Sequence, residues 1–207
     1  VVALLEILID NKNGRVWDVS EIAKDLTWTT TRVGRPASVD FTLISSGIYQ
    51  DRAFTINNGD IVRVRKDNVN VFYGYVFAIK TNQDAEISVK AYDQVRYLLN
   101  KDTYVFKNVT TGDIIRKIAA DFNLKVGRVD DTGYPIPSMI EDGQTLLDII
   151  EKANTLTMAN TNRFFVFFDD FGELSLRNVN DFLANFYIGD ESLMTGYGYS
   201  RDIDQDT

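Results

Sequence analysis

With neither cysteine nor histidine among its 207 residues, the chain must draw any reactive chemistry from carboxylates, lysines, tyrosines or a hard metal held by oxygen. Thiolate nucleophiles, zinc–thiolate centres, iron–sulfur clusters, the Ser-His-Asp triad and the HExxH zinc site are all excluded. Two carboxylate doublets, Asp130-Asp131 and Asp169-Asp170, are the candidates for a glycosidase acid and base. One member of such a pair needs a pKa raised by burial. Both doublets flank turn signals, which predicts exposure, and adjacent strand residues point to opposite faces, which spoils a shared site.

Asp93 is a sharper case. It follows strand residue Tyr92 and precedes Gln94-Val95-Arg96-Tyr97-Leu98-Leu99, so its carboxylate is placed to accept from the free N–H groups of a first helical turn. A catalytic role needs an acid partner, and the sequence identifies none. Asp170-Phe171-Gly172 spells the kinase metal-binding triplet, but the histidine of the kinase catalytic loop is missing, so a turn is expected. Asp202, Asp204 and Asp206 have calcium-loop spacing, yet Thr207 stands where the sharp turn needs glycine, and a solvated tail is expected. Gly196-Tyr197-Gly198 lacks a third glycine or a GK[ST], so it reads as a bend. No residue is assigned a catalytic, cofactor-binding or metal-ligating role, and no cofactor is expected.

The elements that carry these residues show in the periodicity. From Asn58 to Asn100 three alternating strands run into a short helix opened by Asp93. Val69, Val71, Tyr73, Tyr75, Phe77 and Ile79 fall on one face, and Asn70, Phe72, Gly74, Val76, Ala78 and Lys80 on the other. Apolar groups on both sides predict a curled sheet or barrel, since both faces need cover. Strands are expected at 3–9, 15–19, 26–31, 37–44, 61–66, 69–80 and 86–91, with turns at Asn13-Gly14 and Asn58-Gly59. The period then changes. Thr110 and Asp113 have the spacing of a helix start, predicting a helix over 112–122, and a second begins near Thr145. Gly133, Pro135 and Pro137 mark a loop between them. A hairpin over 163–169 and 173–177 follows, then a short helix or turn at 181–184 and a strand near 186–188.

The expected fold class is α+β and mainly β. An N-terminal barrel-like tube domain spans 1–100, and a smaller αβ domain with two helices and a hairpin spans 101–180. The start of a further domain, cut short, spans 181–207. A composition 44% hydrophobic and 12% aromatic supports a real core. A net charge of -8 argues against nucleic acid or an anionic membrane as the main partner. No run approaches the roughly twenty apolar residues of a membrane span. The opening VVALLEILID, interrupted by Glu6, reads as a first strand rather than a targeting segment. Without an initiator methionine, and ending in mid-architecture, the sequence is expected to be part of a longer protein. Arg63, Arg65, Lys66, Lys80 and Lys90 lie on the polar sides of the best-defined strands. They form either a solvated face or a surface that pairs with a neighbouring subunit's carboxylates.

The order WDVSEIAKDLTWTTTRVGRPASVDFTLI, FTINNGDIVRVRKDNVNVFYGYV and ISVKAYDQVRYLLNKDTYVFKNVT, continued by TTGDIIRKIAADFNLKVG, GQTLLDIIEKA and DDFGELSLRNV, resembles the XkdQ/YqbQ family of PBSX-like prophages. The resemblance implies a structural, non-enzymatic baseplate hub of a contractile phage tail or tail-like bacteriocin, similar to late control protein D and to the base of type VI secretion spikes. It implies a homotrimer with two tube domains per subunit, adapting a hexameric tail tube to a trimeric spike, whose proteins are its partners. It also implies a place in the virion tail baseplate, with assembly in the bacterial cytoplasm. The five basic residues above then become candidates for the tube lumen or its joints. Two other readings stay open: a cell-wall-active carboxylate hydrolase, and carbohydrate binding by the helix-containing middle part, loosely like a LysM module.

Overall fold

The computed structural model describes residues 4–31, 35–44, 53–82 and 86–184. Seven strands form the first half: β1 (Leu5–Asp10), β2 (Val16–Asp18), β3 (Ala23–Thr29), β4 (Ser38–Ile44), β5 (Ile61–Lys66), β6 (Val69–Thr81) and β7 (Glu86–Tyr92). They make one antiparallel sheet in the order β2-β1-β5-β6-β7-β4-β3. Period-two alternation sends Ile7, Ile9, Phe41, Leu43, Val62 and Val64 to one face, where they meet Phe72, Val76, Val89 and Ala91 in a buried cluster drawn from this half alone. A sheet that packs its apolar face on itself must curl.

The connectivity sets how far. β2 and β3 lie at opposite ends of the strand order but are joined by the four residues Val19 to Ile22. A flat seven-stranded sheet would hold its end strands about 29 Å apart, whereas the link from Asp18 to Ala23 reaches about 18 Å at most. The link is itself bonded to the sheet, Val19 N donating to Ile7 O at 2.9 Å and Ile44 N to Ile22 O at 3.0 Å. No ladder joins β2 to β3 among the described residues, so the sheet is open where the periodicity predicts a barrel. The reason lies at its ends: β2 is only three residues long, and β3 breaks register between Lys24 and Thr27, with Asp25 at φ 57°.

Gly74, in the middle of β6, is required by proximity. A Cβ there would lie 2.3 Å from the carbonyl oxygen of Tyr92 and 2.5 Å from Cζ of Phe72. At the start of β6, Asp67 and Asn68 turn the chain into it from β5 with φ of 51° and 64°, the paired positive values of a tight hairpin.

After β7 a 3-10 helix, Gln94–Leu99, leads to β8 (Lys101–Val109), α1 (Thr111–Asp121), β9 (Val126–Val129), β10 (Ile136–Thr145), α2 (Leu146–Thr161), β11 (Phe165–Asp169) and β12 (Leu174–Asn178), closed by a 3-10 turn at Val179–Phe182. β8 and β10 pair as an antiparallel ribbon; β12 lies between β11, antiparallel, and β9, parallel. The helices pack on both through a second buried cluster that includes Ile114, Ile115, Ile118, Leu146, Ile149 and Ile150. Val95 and Leu98 of the 3-10 helix belong to this cluster and not to the sheet's. Both α-helices start where the spacing predicts. Thr110 and Asp113 form a reciprocal capping box, and Thr145 Oγ1 accepts from Asp148 N at 3.1 Å.

Three strands depart from the sequence reading. The loop expected around Gly133 to Pro137 is in part β10, and β8 and β9 had no periodic signal. β8 turns only Phe106 fully inward. Pro137 demotes its segment as a strand, but in a two-stranded ribbon each strand has a free edge that needs no N–H. The predicted strand near 186–188, Gly196-Tyr197-Gly198 and the Asp202, Asp204 and Asp206 series lie outside the described residues.

Candidate functional site

The outer face of the curled sheet carries Arg63, Arg65, Lys80 and Lys90 of the basic residues singled out above, and most of these are matched within the sheet. Arg65 stands directly across from Glu6 on β1, with its guanidinium 3.6 Å from the carboxylate. Arg63 reaches Asp10 at 2.9 Å, and Lys90 meets both oxygens of Asp40, its direct cross-strand partner, at 3.0 Å. Lys24 pairs with Glu86. Lys66 and Lys80 have no ion pair among the described residues. These half-exposed pairs are worth little individually, but they leave the face near neutrality.

Between the sheet and the second cluster runs an aromatic seam, built from the face of β6 opposite the core. Tyr73 meets Phe171 edge-on with centroids 5.6 Å apart, Tyr75 meets Tyr97 at 5.8 Å, and Phe77 meets Tyr92 at 5.4 Å. Arg65 lies over Phe171 and Arg96 over Phe77, at 5.7 and 5.8 Å from the ring centroids, where cation–π attraction adds to the packing. The long strand thus has both faces covered, one by its own sheet and one by this seam.

Asp93 caps the 3-10 helix as its position predicts. Its Oδ1 accepts from Val95 N at 3.1 Å and its Oδ2 from Ala37 N at 2.9 Å, so one carboxyl ties the helix to the head of β4. It is 4% exposed. Burial, then the charge of Asp169, pushes its pKa up to about 7 against the pull of those N–H groups. The missing partner is therefore present in the fold. Asp169 belongs to the doublet predicted to be exposed, but only Asp170 faces out, bonded to Arg177 at 2.7 Å. Asp169 turns inward because the hairpin requires it: Phe171 and Gly172 have φ of 53° and 92°, and Gly172 N donates to Asp169 Oδ1 at 2.6 Å. The other oxygen, Oδ2, is buried without a hydrogen-bond partner. Burial raises the pKa of Asp169 to about 6.

Both carboxyls line a cleft of about 520 Å³ walled by Trp28, Val71, Tyr73, Phe167 and Phe168. Asp170-Phe171-Gly172 is a turn, as expected. Asp130 and Asp131 serve local structure: Asp130 accepts from Asn178 N and pairs with Arg128, and Asp131 accepts from Gly133 N. No group of three or more potential metal ligands exists among the described residues. No helix among them is long and apolar enough to cross a membrane.

The fold is one that phage tail proteins use. A 43 kDa tail protein of prophage MuSo2 from Shewanella oneidensis superposes with a TM-score of 0.65 at 21% identity, over 83% of this chain and 52% of that one. A tail protein from Neisseria meningitidis MC58 gives 0.58 at 16% identity, over 84% and 50%. Prophage tail protein gp18 from Listeria monocytogenes gives 0.57 at 12% identity, over 95% and 56%. The chain belongs to the YQBQ-like family, whose model matches residues 26–207. It is 32% identical to the phage-like element PBSX protein XkdQ of Bacillus subtilis over 184 residues, covering 88% of this chain and 56% of XkdQ. It is equally identical to YqbQ of the same organism over 152 residues, covering 72% of this chain and 46% of YqbQ. The chain spans about half the length of these relatives.

Proposed function

We propose that this chain is the N-terminal part of a structural tail protein, a baseplate hub that adapts a hexameric tail tube to a trimeric spike in a contractile phage tail or tail-like particle. The observation that carries the reading is the curled sheet, with its long strand covered on both faces and its end strands open, in a member of a prophage family whose fold recurs in tail proteins. An open sheet of this curvature can be completed by neighbours around an axis, its end strands pairing across subunit boundaries. Residues 1–100 then form the tube unit and 101–180 a smaller unit beside it. The polypeptide from 181 onward leads to a second tube unit, so that three subunits present six similar units to the tube. The protein works in the tail baseplate after assembly in the bacterial cytoplasm, without nucleic acid, membrane insertion or a catalytic site. The outer-face ion pairs support a self-satisfied surface, and of the five basic residues Lys66 and Lys80, which have no ion pair among the described residues, are the ones available to a lumen or a joint. Light scattering on the full-length protein tests the reading: a trimer is expected, and a monomer at micromolar concentration counts against it.

A carboxylate hydrolase is the second reading, favoured by Asp93 and Asp169 in an aromatic-walled cleft. Their hydrogen bonds argue for structure instead, since both oxygens of Asp93 and one of Asp169 already accept from backbone N–H groups. Turbidity of cell-wall sacculi incubated with the protein decides it: no clearing is expected, and clearing abolished by Asp169→Asn establishes the hydrolase.

A further inference from the structure

We propose that Asp93 and Asp169 make the seam a proton-loaded joint, in which the curled sheet and the β11–β12 hairpin stay docked while at least one of the two carboxyls carries a proton and loosen when both are ionised. The two groups are fixed to opposite sides of the seam. Asp93 is bonded to Ala37 at the head of β4, and Asp169 to Gly172 in the hairpin turn. That turn is the docked part: Phe171 packs on Tyr73, and a Cβ on Gly172 would lie 2.7 Å from the Tyr73 ring. The hairpin therefore has one seated position against the sheet, and charge developing at Asp169 acts directly on it.

Among the described residues no ion pair across the seam neutralises the two carboxyls. On the sheet side, the guanidinium of Arg63 is held by Asp10 and that of Arg65 by Glu6. On the hairpin side Asp170 and Arg177 are paired with each other. Arg35 and Glu151 line the cleft from the segment ahead of β4 and from α2. Tyr73 and Tyr75 of β6, with Tyr97 and Arg96 of the 3-10 helix, complete the titratable and charged surroundings. Among the described residues no cation makes an ion pair with either Asp93 or Asp169; what lowers the charge cost at Asp169 is neutral, the N–H groups of Gly172 and Gln94, and they do not outweigh burial. Two like charges in such a place cost far more than the same charges in water.

The sign follows from the raised values. The docked state binds more protons than the open one between about pH 4, where exposed carboxyls titrate, and about pH 7, where Asp93 titrates in the fold. Docking is at full strength below that window, weakens as pH rises through it and is weakest above it.

Amide exchange of residues 165–178 in the intact protein, corrected for the chemical rate at each pH, reads the joint. In the wild type the opening equilibrium should rise with up to two linked protons, about a hundredfold per pH unit, between about pH 4 and 6, and about tenfold per unit from there to about pH 7. Asp169→Asn should remove at least one proton's share of that slope, and Asp170→Asn, whose carboxylate faces Arg177 outside the seam, should leave it unchanged. A flat wild type, a slope that Asp169→Asn leaves at its full value, or one that vanishes with Asp170→Asn overturns the proposal. If Asp169→Asn fails to fold, 13C titration of the wild-type side-chain carboxyls decides instead. A midpoint near 6 to 7 for Asp93 or Asp169 supports the joint, and midpoints at ordinary values for both overturn it. Neither measurement depends on the protein being a tail hub.

Discussion

The outer face of the curled sheet and the seam behind β6 hold the same kind of group in opposite circumstances. On the outer face Glu6, Asp10 and Asp40 each pair with a cation on the neighbouring strand, with side chains partly in water. In the seam Asp93 and Asp169 lie among aromatic rings, and among the described residues neither makes an ion pair. A surface built the first way is satisfied without a partner and responds little to pH. A contact built the second way carries an electrostatic cost that packing must offset, and that cost varies with proton activity. The difference shows that the acidic character of this chain is not uniform: some carboxylates keep a face neutral, and two make a joint conditional.

The largest way to break the contrast is at Gly74, on the strand both regions share. Gly74→Ala puts a methyl 2.3 Å from the Tyr92 carbonyl oxygen and should cost about 3 kcal/mol or more by urea denaturation. Sheet and seam should lose stability together, and an unfolding midpoint that hardly moves would mean the close approach is not real. A smaller effect, opposite in sign, is expected at Asp169. Its pKa stands at about 6 against an ordinary 3.8. Asp169→Asn should therefore stabilise the protein by up to about 3 kcal/mol at pH 8 and by almost nothing at pH 4. A loss at pH 8 would place Asp169 among the paired carboxylates. The smallest effect sharpens the outer face. A double-mutant cycle on Asp40 and Lys90 should return a coupling below about 1 kcal/mol that shrinks in 0.5 M salt. A larger, salt-insensitive coupling would mean the pair is shielded from solvent, for instance by a neighbouring subunit.

Legibility follows the same division. The sheet was readable because its signals are local: alternation in β4 to β7, Asn-Gly turns and a long strand with two apolar faces all lie within a few residues of their cause. The helix starts at Thr110 and Thr145 were readable for the same reason, through side chains three residues apart. β8 and β10 were not, because each is a strand only by virtue of the other, some thirty residues away, and Pro137 speaks against the second. The curl was legible, but whether the end strands would close on each other was not, since that depends on the bulge at Asp25 and the brevity of β2. At the seam the cap at Asp93 could be read from Tyr92 and the apolar run after it. Its meeting with Asp169 could not, because the hairpin that turns Asp169 inward lies more than seventy residues further on and its neighbour Asp170 points out. The clue was there in part: Tyr73, Tyr75 and Phe77 on the face of β6 away from the core already required something to cover them.

The central claim, that this chain belongs to a hub completing a ring on the tail axis, is tested most directly by electron cryo-imaging of purified tails carrying the full-length protein. The account predicts three copies at the junction of tube and spike, with the curled sheets of neighbouring units side by side around the axis. Density for the protein away from that axis, or intact tails that lack it, would contradict the account.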